Sequence, residues 1–186
     1  MPTTSRPFLN KLPLRRAVSA TLAAAGLLVA SAPASAQRAE PHGGMLRFPD
    51  VSQDRIVFSY GNDLWTVERA GGVARPLASP PGQELFPKFS PDGQTIAFVG
   101  NYDGDRDLYL IDSFGGLAER LTYHPSNELL CDWAGDNRLL FSAGGRSHRP
   151  QPRQTRQLFF LDVDNPAQQE ELPVPYGVNA SLGEDG

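Results

Sequence analysis

The chain has 186 residues, 40% of them apolar and 20% charged, and its 18 glycines and 17 prolines make up about a fifth of the total. That is enough apolar material for a core, and more turn formers than a helical protein carries, as in a β fold with many tight turns. No 20-residue apolar run provides a membrane span and no basic excess suits nucleic acid. With Cys131 the single cysteine, an internal disulfide is excluded and the fold has to hold by packing.

The chain opens with four basic residues, Arg6, Lys11, Arg15 and Arg16, and its first acidic residue is Glu40. Between them Ala17 to Ala30 is a 14-residue run of mostly Ala, Leu and Val, then Pro33 and Ala34-Ser35-Ala36. A basic start, a short apolar stretch and small residues at an A-x-A site are the parts of a secretory signal, with cleavage between Ala36 and Gln37. Fourteen helical residues reach about 21 Å, short of the roughly 30 Å hydrocarbon core. Arg15-Arg16 brings the twin-arginine route to mind, but Ala17-Val18 lacks the bulky apolar pair that follows such a motif, which favours Sec export. All 21 acidic residues but only 13 of the 17 basic ones lie beyond this leader, so the chain from Gln37 carries a net charge of −8. An acidic exported protein suits neither phosphate backbones nor anionic lipid, and a periplasmic or secreted location is expected.

The remainder repeats. Phe89-Ser90-Pro91-Asp92-Gly93-Gln94-Thr95-Ile96-Ala97-Phe98 is the clearest unit. Arg55-Ile56-Val57-Phe58 matches its second half 40 residues earlier, and Asp136-Asn137-Arg138-Leu139-Leu140-Phe141 does so 43 residues later. The following strand recurs as Asp63–Val67, Asp107–Ile111 and Gln157–Leu161, and Gly71-Gly72, Gly115-Gly116 and Asn165-Pro166 mark the next turns. A fourth copy begins at Ala180-Ser181-Leu182-Gly183-Glu184-Asp185-Gly186. Four short strands per roughly 40–45 residues is the period of propeller blades. The prediction is an all-β propeller with four-stranded blades at about 45–79, 85–123 and 128–173, a short segment 37–44 ahead of them, and the start of another blade at 178–186. Propellers close with four to eight blades, so this is an incomplete ring with two open edges, expected to be a fragment of a longer protein and prone to self-association.

Gln83-Glu84-Leu85-Phe86-Pro87-Lys88-Phe89-Ser90-Pro91-Asp92-Gly93 resembles TolB-like propeller repeats. Asp63-Leu64-Trp65-Thr66-Val67, Gly71-Gly72-Val73-Ala74-Arg75, Asn101-Tyr102-Asp103-Gly104 and Arg120-Leu121-Thr122-Tyr123-His124-Pro125 further resemble the amino-terminal propeller of tricorn proteases. The third blade departs from the pattern, with Asp136-Asn137 in place of the Pro-Asp-Gly turn. The resemblance implies a six-bladed propeller, a second propeller, a PDZ domain and a carboxy-terminal serine peptidase core whose catalytic residues lie outside this chain. It also implies a role in admitting and selecting peptides or unfolded polypeptide, with the remaining propeller, PDZ and protease-core segments as partners. A homo-oligomer is left open, and a non-enzymatic TolB-like scaffold for protein–protein interaction is the alternative.

The residues themselves offer no catalytic set. His42, His124 and His148 stand outside any nucleophile motif. Asp103-Gly104-Asp105-Arg106-Asp107 imitates a calcium loop, but Leu108 and Phe114 occupy the positions where Gly and Glu are needed, so a hairpin turn is expected, with no metal and no cofactor. The stretch 144–157 gathers Arg146, Arg149, Arg153 and Arg156 in an otherwise acidic chain. Guanidinium forks grip carboxylates at two points, so these four are candidate anchors for a peptide carboxylate, against the alternative of a solvated hairpin insertion. Trp65, Trp133, Tyr109, Phe159 and Phe160 are read as core, and Cys131 as a buried, inert thiol.

Overall fold

Residues alternating between apolar and small or polar side chains, punctuated by Gly, Asn and Pro, extend as strands wherever one face finds cover. The computed structural model describes residues 42–145 and 155–183; the leader with Ala34, Ala36 and Gln37, and Arg146, Arg149 and Arg153, lie outside the described residues. A short 3₁₀ turn at Gly43–Met45 leads into the first four strands, β1 (Leu46–Val51), β2 (Arg55–Tyr60), β3 (Asp63–Glu68) and β4 (Arg75–Ala78). The second group is β5 (Glu84–Phe89), β6 (Thr95–Gly100), β7 (Asp107–Asp112) and β8 (Glu119–Arg120). The third is β9 (Glu128–Trp133), β10 (Arg138–Gly144), β11 (Arg156–Asp162) and β12 (Gln169–Glu171). Each group forms one antiparallel sheet in sequence order, so the described residues make three complete four-stranded blades.

The turns follow from their residues. Gly61 and Asn62, at φ 64° and 83°, form the two-residue hairpin between Tyr60 and Asp63, a turn that demands positive φ at both positions. In the second blade Gly93 takes φ 71°, Ser90 Oγ donates to Asp92, and Asp92 Oδ1 accepts the Gln94 N–H. These bonds hold the Asp92 carboxyl below the usual aspartate range.

The blades converge at their first strands, with β5 touching both β1 and β9, and fan apart towards their fourth. The equivalent phenylalanines point to the preceding blade. Phe98 is buried with Val57, Leu64, Ile96 and Tyr109 between blades one and two. Phe141 is buried with Ala97, Val99, Leu108 and Phe159 between blades two and three. Phe58 occupies the same place in blade one, where no described blade covers it, and it is only half-buried, as is Trp65 beside it. Phe98 and Phe141 are thus covered by a preceding blade, while among the described residues Phe58 is not. Trp65 meets Tyr60 edge-on at 6.0 Å, and Phe160 lies half-buried beneath the Arg138 guanidinium, while Tyr109, Trp133 and Phe159 join the core.

The far face of blade three is covered by the chain that follows it. Leu172, Val174, Ala180 and Leu182 pack on Cys131, Leu140 and Leu158. The Gly177 N–H donates to the Arg156 carbonyl, as Glu84 N–H does to Asn62 and Glu128 N–H to Arg106. The three carbonyls stand at the starts of equivalent strands, β3, β7 and β11, so residues 177–182 sit where the first strand of a fourth blade starts. The fold is an open propeller.

Candidate functional site

The seams between blades are fastened by buried carboxylates. Glu84, fully buried, accepts the Leu64 N–H at 2.6 Å and the Tyr102 hydroxyl at 2.5 Å. Burial, reinforced by the charge of Asp63, outweighs these bonds and raises the Glu84 pKa above its ordinary 4.5; burial and the Glu84 bond raise that of Tyr102 as well. At the next seam Thr122 Oγ1 donates to the buried Glu128 and accepts the Leu108 N–H, beside the buried Asp107. Burial raises the Asp107 pKa, against the pull of Arg120, whose guanidinium reaches Asp107 and Asp103 at 2.7 Å each.

A folded pKa raised above the unfolded one stabilises the fold below the unfolded value, and that contribution is lost as pH rises through the folded value. The chain is therefore expected to lose stability through Glu84 as pH rises above about 4.5. Glu84→Gln, which mimics the protonated acid, should flatten that slope while Asp107 still titrates in both forms. Urea melts of the two proteins between pH 4.5 and 8 measure this, and parallel curves would refute it.

On the side where the first strands converge lies a cleft of about 410 Å³. Phe48 of β1 and Phe86 of β5 form one wall, their rings 4.1 Å apart; Leu129 and Asp132 of β9 and residues 178–181 close the other sides. Each phenylalanine precedes a proline at the sheet edge and sits at a register shift, with φ 50° and 54°. Proline has no N–H to donate, which suits an edge strand. Lys88 Nζ pairs with Asp50 at 3.3 Å, and the Trp133 indole donates to the Lys88 carbonyl. Asp132 accepts the N–H of Trp133, and among the described residues no cation pairs with it. The cleft can thus hold an apolar group next to a cationic one; among the described residues that line it there is no nucleophile–base pair.

Of the four candidate arginines, Arg156 is described. It donates through Nε and Nη2 to Ser142 Oγ and O, at 3.1 and 2.6 Å, and burial lowers its pKa. Arg146, Arg149 and Arg153, like His148, fall outside the described residues. His42 Nδ1 accepts the Gly44 N–H, and His124 Nδ1 meets Ser126 Oγ at 2.7 Å and the Ser126 N–H at 3.1 Å. Two aspartates of the calcium-like run are held by Arg120: Asp103 in the turn between β6 and β7, and Asp107 at the start of β7. Cys131 is buried, and burial raises its thiol pKa, opposed by the Ala180 N–H and Arg156.

Sequence reading overlooked Glu84, Glu128, Phe48 and Phe86. The signal was present: Phe48-Pro49 and Phe86-Pro87 repeat 38 residues apart, and Glu84 and Glu128 open equivalent strands.

Sequential four-stranded sheets that converge on their first strands and interlock at each seam define a β-propeller segment. The chain belongs to the family of the tricorn protease N-terminal β-propeller domain, whose model matches residues 43–186. Among solved structures it is similar to the tricorn protease, at 25% identity and a TM-score of 0.52, over 63% of this chain and 12% of that one. TolB from Acinetobacter baumannii aligns at 18% identity and a TM-score of 0.57, over 75% of this chain and 34% of that one. The β-propeller domain of the trilobed protease from Pyrococcus furiosus aligns at 15% identity and a TM-score of 0.52, over 69% and 42%. The chain thus spans less than half the length of each of these proteins. No curated protein sequence matches it.

Proposed function

We propose that this chain is the exported propeller module of a tricorn-type serine peptidase and that it admits and selects short or unfolded peptides for the peptidase core. The observation that carries this reading is the cleft on the convergent side of the blades, in a chain whose family is that of the tricorn propeller. A narrow opening excludes folded proteins and passes extended chains, which is selection by size without chemistry. The leader ending at Ala34-Ser35-Ala36 supports action outside the cytoplasm. Its partners in this reading are peptides and the remaining propeller, PDZ and protease-core segments.

Arg146, Arg149 and Arg153 are assigned to the terminal carboxylate of the peptide, with Arg156 fixing the base of their segment through Ser142. Peptides with a free carboxylate should bind the chain about tenfold more tightly than their amides, as expected for one charge-assisted contact. Replacing Arg146, Arg149 and Arg153 by Ser, with Arg156 kept, should erase the difference. Calorimetric titration with acid and amide forms of one peptide decides it. Equal affinity in both forms would remove the anchor, and no binding of any peptide would leave the TolB-like scaffold reading in its place.

A further inference from the structure

From the two strained phenylalanines and the cleft they line, we infer that the convergent face holds a side-chain subsite. Its ligand is an aromatic or branched aliphatic residue of an extended peptide, next to a positive charge on the same peptide. This rests on the peptide-admitting reading above and specifies the chemistry that it selects.

The first observation is conformational. A bulky residue at positive φ is a genuine outlier, since its Cβ crowds the backbone, and such strain persists where the surroundings over-determine it. Here it occurs twice, at Phe48 and Phe86, in equivalent strands and each time directly before proline. Each sits at a shift of register, where an irregular strand re-aims its side chains. The outcome is two rings 4.1 Å apart, inclined at 44°, each partly exposed and each on the cleft wall. Both rings pack with one side on the core between blades two and three and turn the other to the cleft.

The second observation is the composition of the space they face. A volume of about 410 Å³ falls in the range of small-ligand sites, and aromatic walls with a few polar groups are the usual lining. The polar groups differ in what they have left to give. The Lys88 ammonium is matched by Asp50, whose other oxygen accepts the Phe89 N–H. Asp132 faces the same space with no described cation beside it. A chain of net charge −8 beyond its leader adds a field of the same sign. The rings thus select an apolar side chain, and Asp132 selects a cation within a residue or two of it.

Terminally blocked peptides test this free of any carboxylate anchor. The probes are acetyl-Gly-Gly-Phe-Lys-Gly-Gly-amide, the same peptide with Ala for Phe, and the same with Glu for Lys. The Phe peptide should bind the 186-residue chain roughly tenfold to a hundredfold more tightly than the Ala peptide, the worth of burying one ring. The Glu peptide should bind more weakly than the Lys peptide, and Asp132→Asn should remove that difference. Phe86→Asn deletes a ring while keeping a residue that tolerates the left-handed backbone, so it should fold and lose the Phe-over-Ala preference. Phe86→Tyr should retain it, and Phe48→Asn provides the same test from the other wall should Phe86→Asn fail to fold. Equal affinity for the Phe and Ala peptides, or an undiminished preference in a folded Asn variant, overturns the subsite. If the unblocked acid peptides bind while blocked Phe and Ala peptides do not differ, this inference alone falls; if no peptide of either kind binds, peptide admission falls with it.

Discussion

Phe98→Ala is expected to destabilise the chain by about 3–5 kcal/mol, the range for removing a fully buried aromatic ring from a core that relaxes only partly. The ring has no exposed surface, stacks on Tyr109 at 5.6 Å and fills the layer between blades one and two together with Val57, Leu64 and Ile96. Phe58→Ala, the same substitution at the equivalent place in blade one, should cost less than half as much, because its ring covers a face that no described blade contacts. Urea denaturation of both variants gives the comparison. Equal costs would mean that the face carrying Phe58 and Trp65 is covered in solution, for instance by a second copy of the chain; a concentration-dependent midpoint would identify that case.

The contrast between these two phenylalanines also shows how much of the fold is legible in the amino-acid sequence. Ile96-Ala97-Phe98, Leu139-Leu140-Phe141 and Ile56-Val57-Phe58 are near copies, and the copies specify strand, register and facing direction in all three blades. They do not specify burial, which depends on what stands opposite and not on the strand itself. The turns are equally readable, since Ser90-Pro91-Asp92-Gly93 carries its geometry in its own residues. Where Asp136-Asn137 departs from that pattern, Asn137 instead donates to Asp162 and Asp164, and the hairpin still forms.

The cleft and the seams are less accessible because they are made by residues far apart in the chain. Glu84 is a surface residue by type, and its burial follows only from its facing the Leu64 N–H of the neighbouring blade and the Tyr102 hydroxyl of its own. Phe48 and Phe86 look like ordinary strand aromatics, since a two-residue period implies regular φ and cannot announce a bulge. The arginines run the other way. Four in one segment stand out by composition, yet for Arg156 the first partner is Ser142 of the neighbouring strand.

Arg55→Met should cost about 3 kcal/mol and should do so by loosening one blade. Arg55 is 5% exposed, and its two terminal nitrogens donate to the carbonyl and the hydroxyl of Ser113, at 2.6 and 3.0 Å, 58 residues away in the second blade. Its guanidinium lies 3.9 Å from the centre of the Phe114 ring, while Asp54, the nearest acid, is largely exposed at 3.6 Å and gives little. Methionine keeps most of the volume but leaves two polar atoms of the fully buried Ser113 without their donor, the costly half of losing a hydrogen bond. Lysine should rescue little, because a single ammonium cannot reproduce the fork. Among the described residues blade one has a neighbour on one side alone, so a weakened seam should free it while blade three keeps its contacts on both faces. Hydrogen exchange reads this directly: in Arg55→Met the amides of β2 and β3 should exchange faster by roughly a hundredfold, the kinetic equivalent of about 3 kcal/mol, with those of β10 and β11 unchanged. Uniform acceleration across all three blades would instead mean that the chain opens as one cooperative body, and the seam would then be one contact among many.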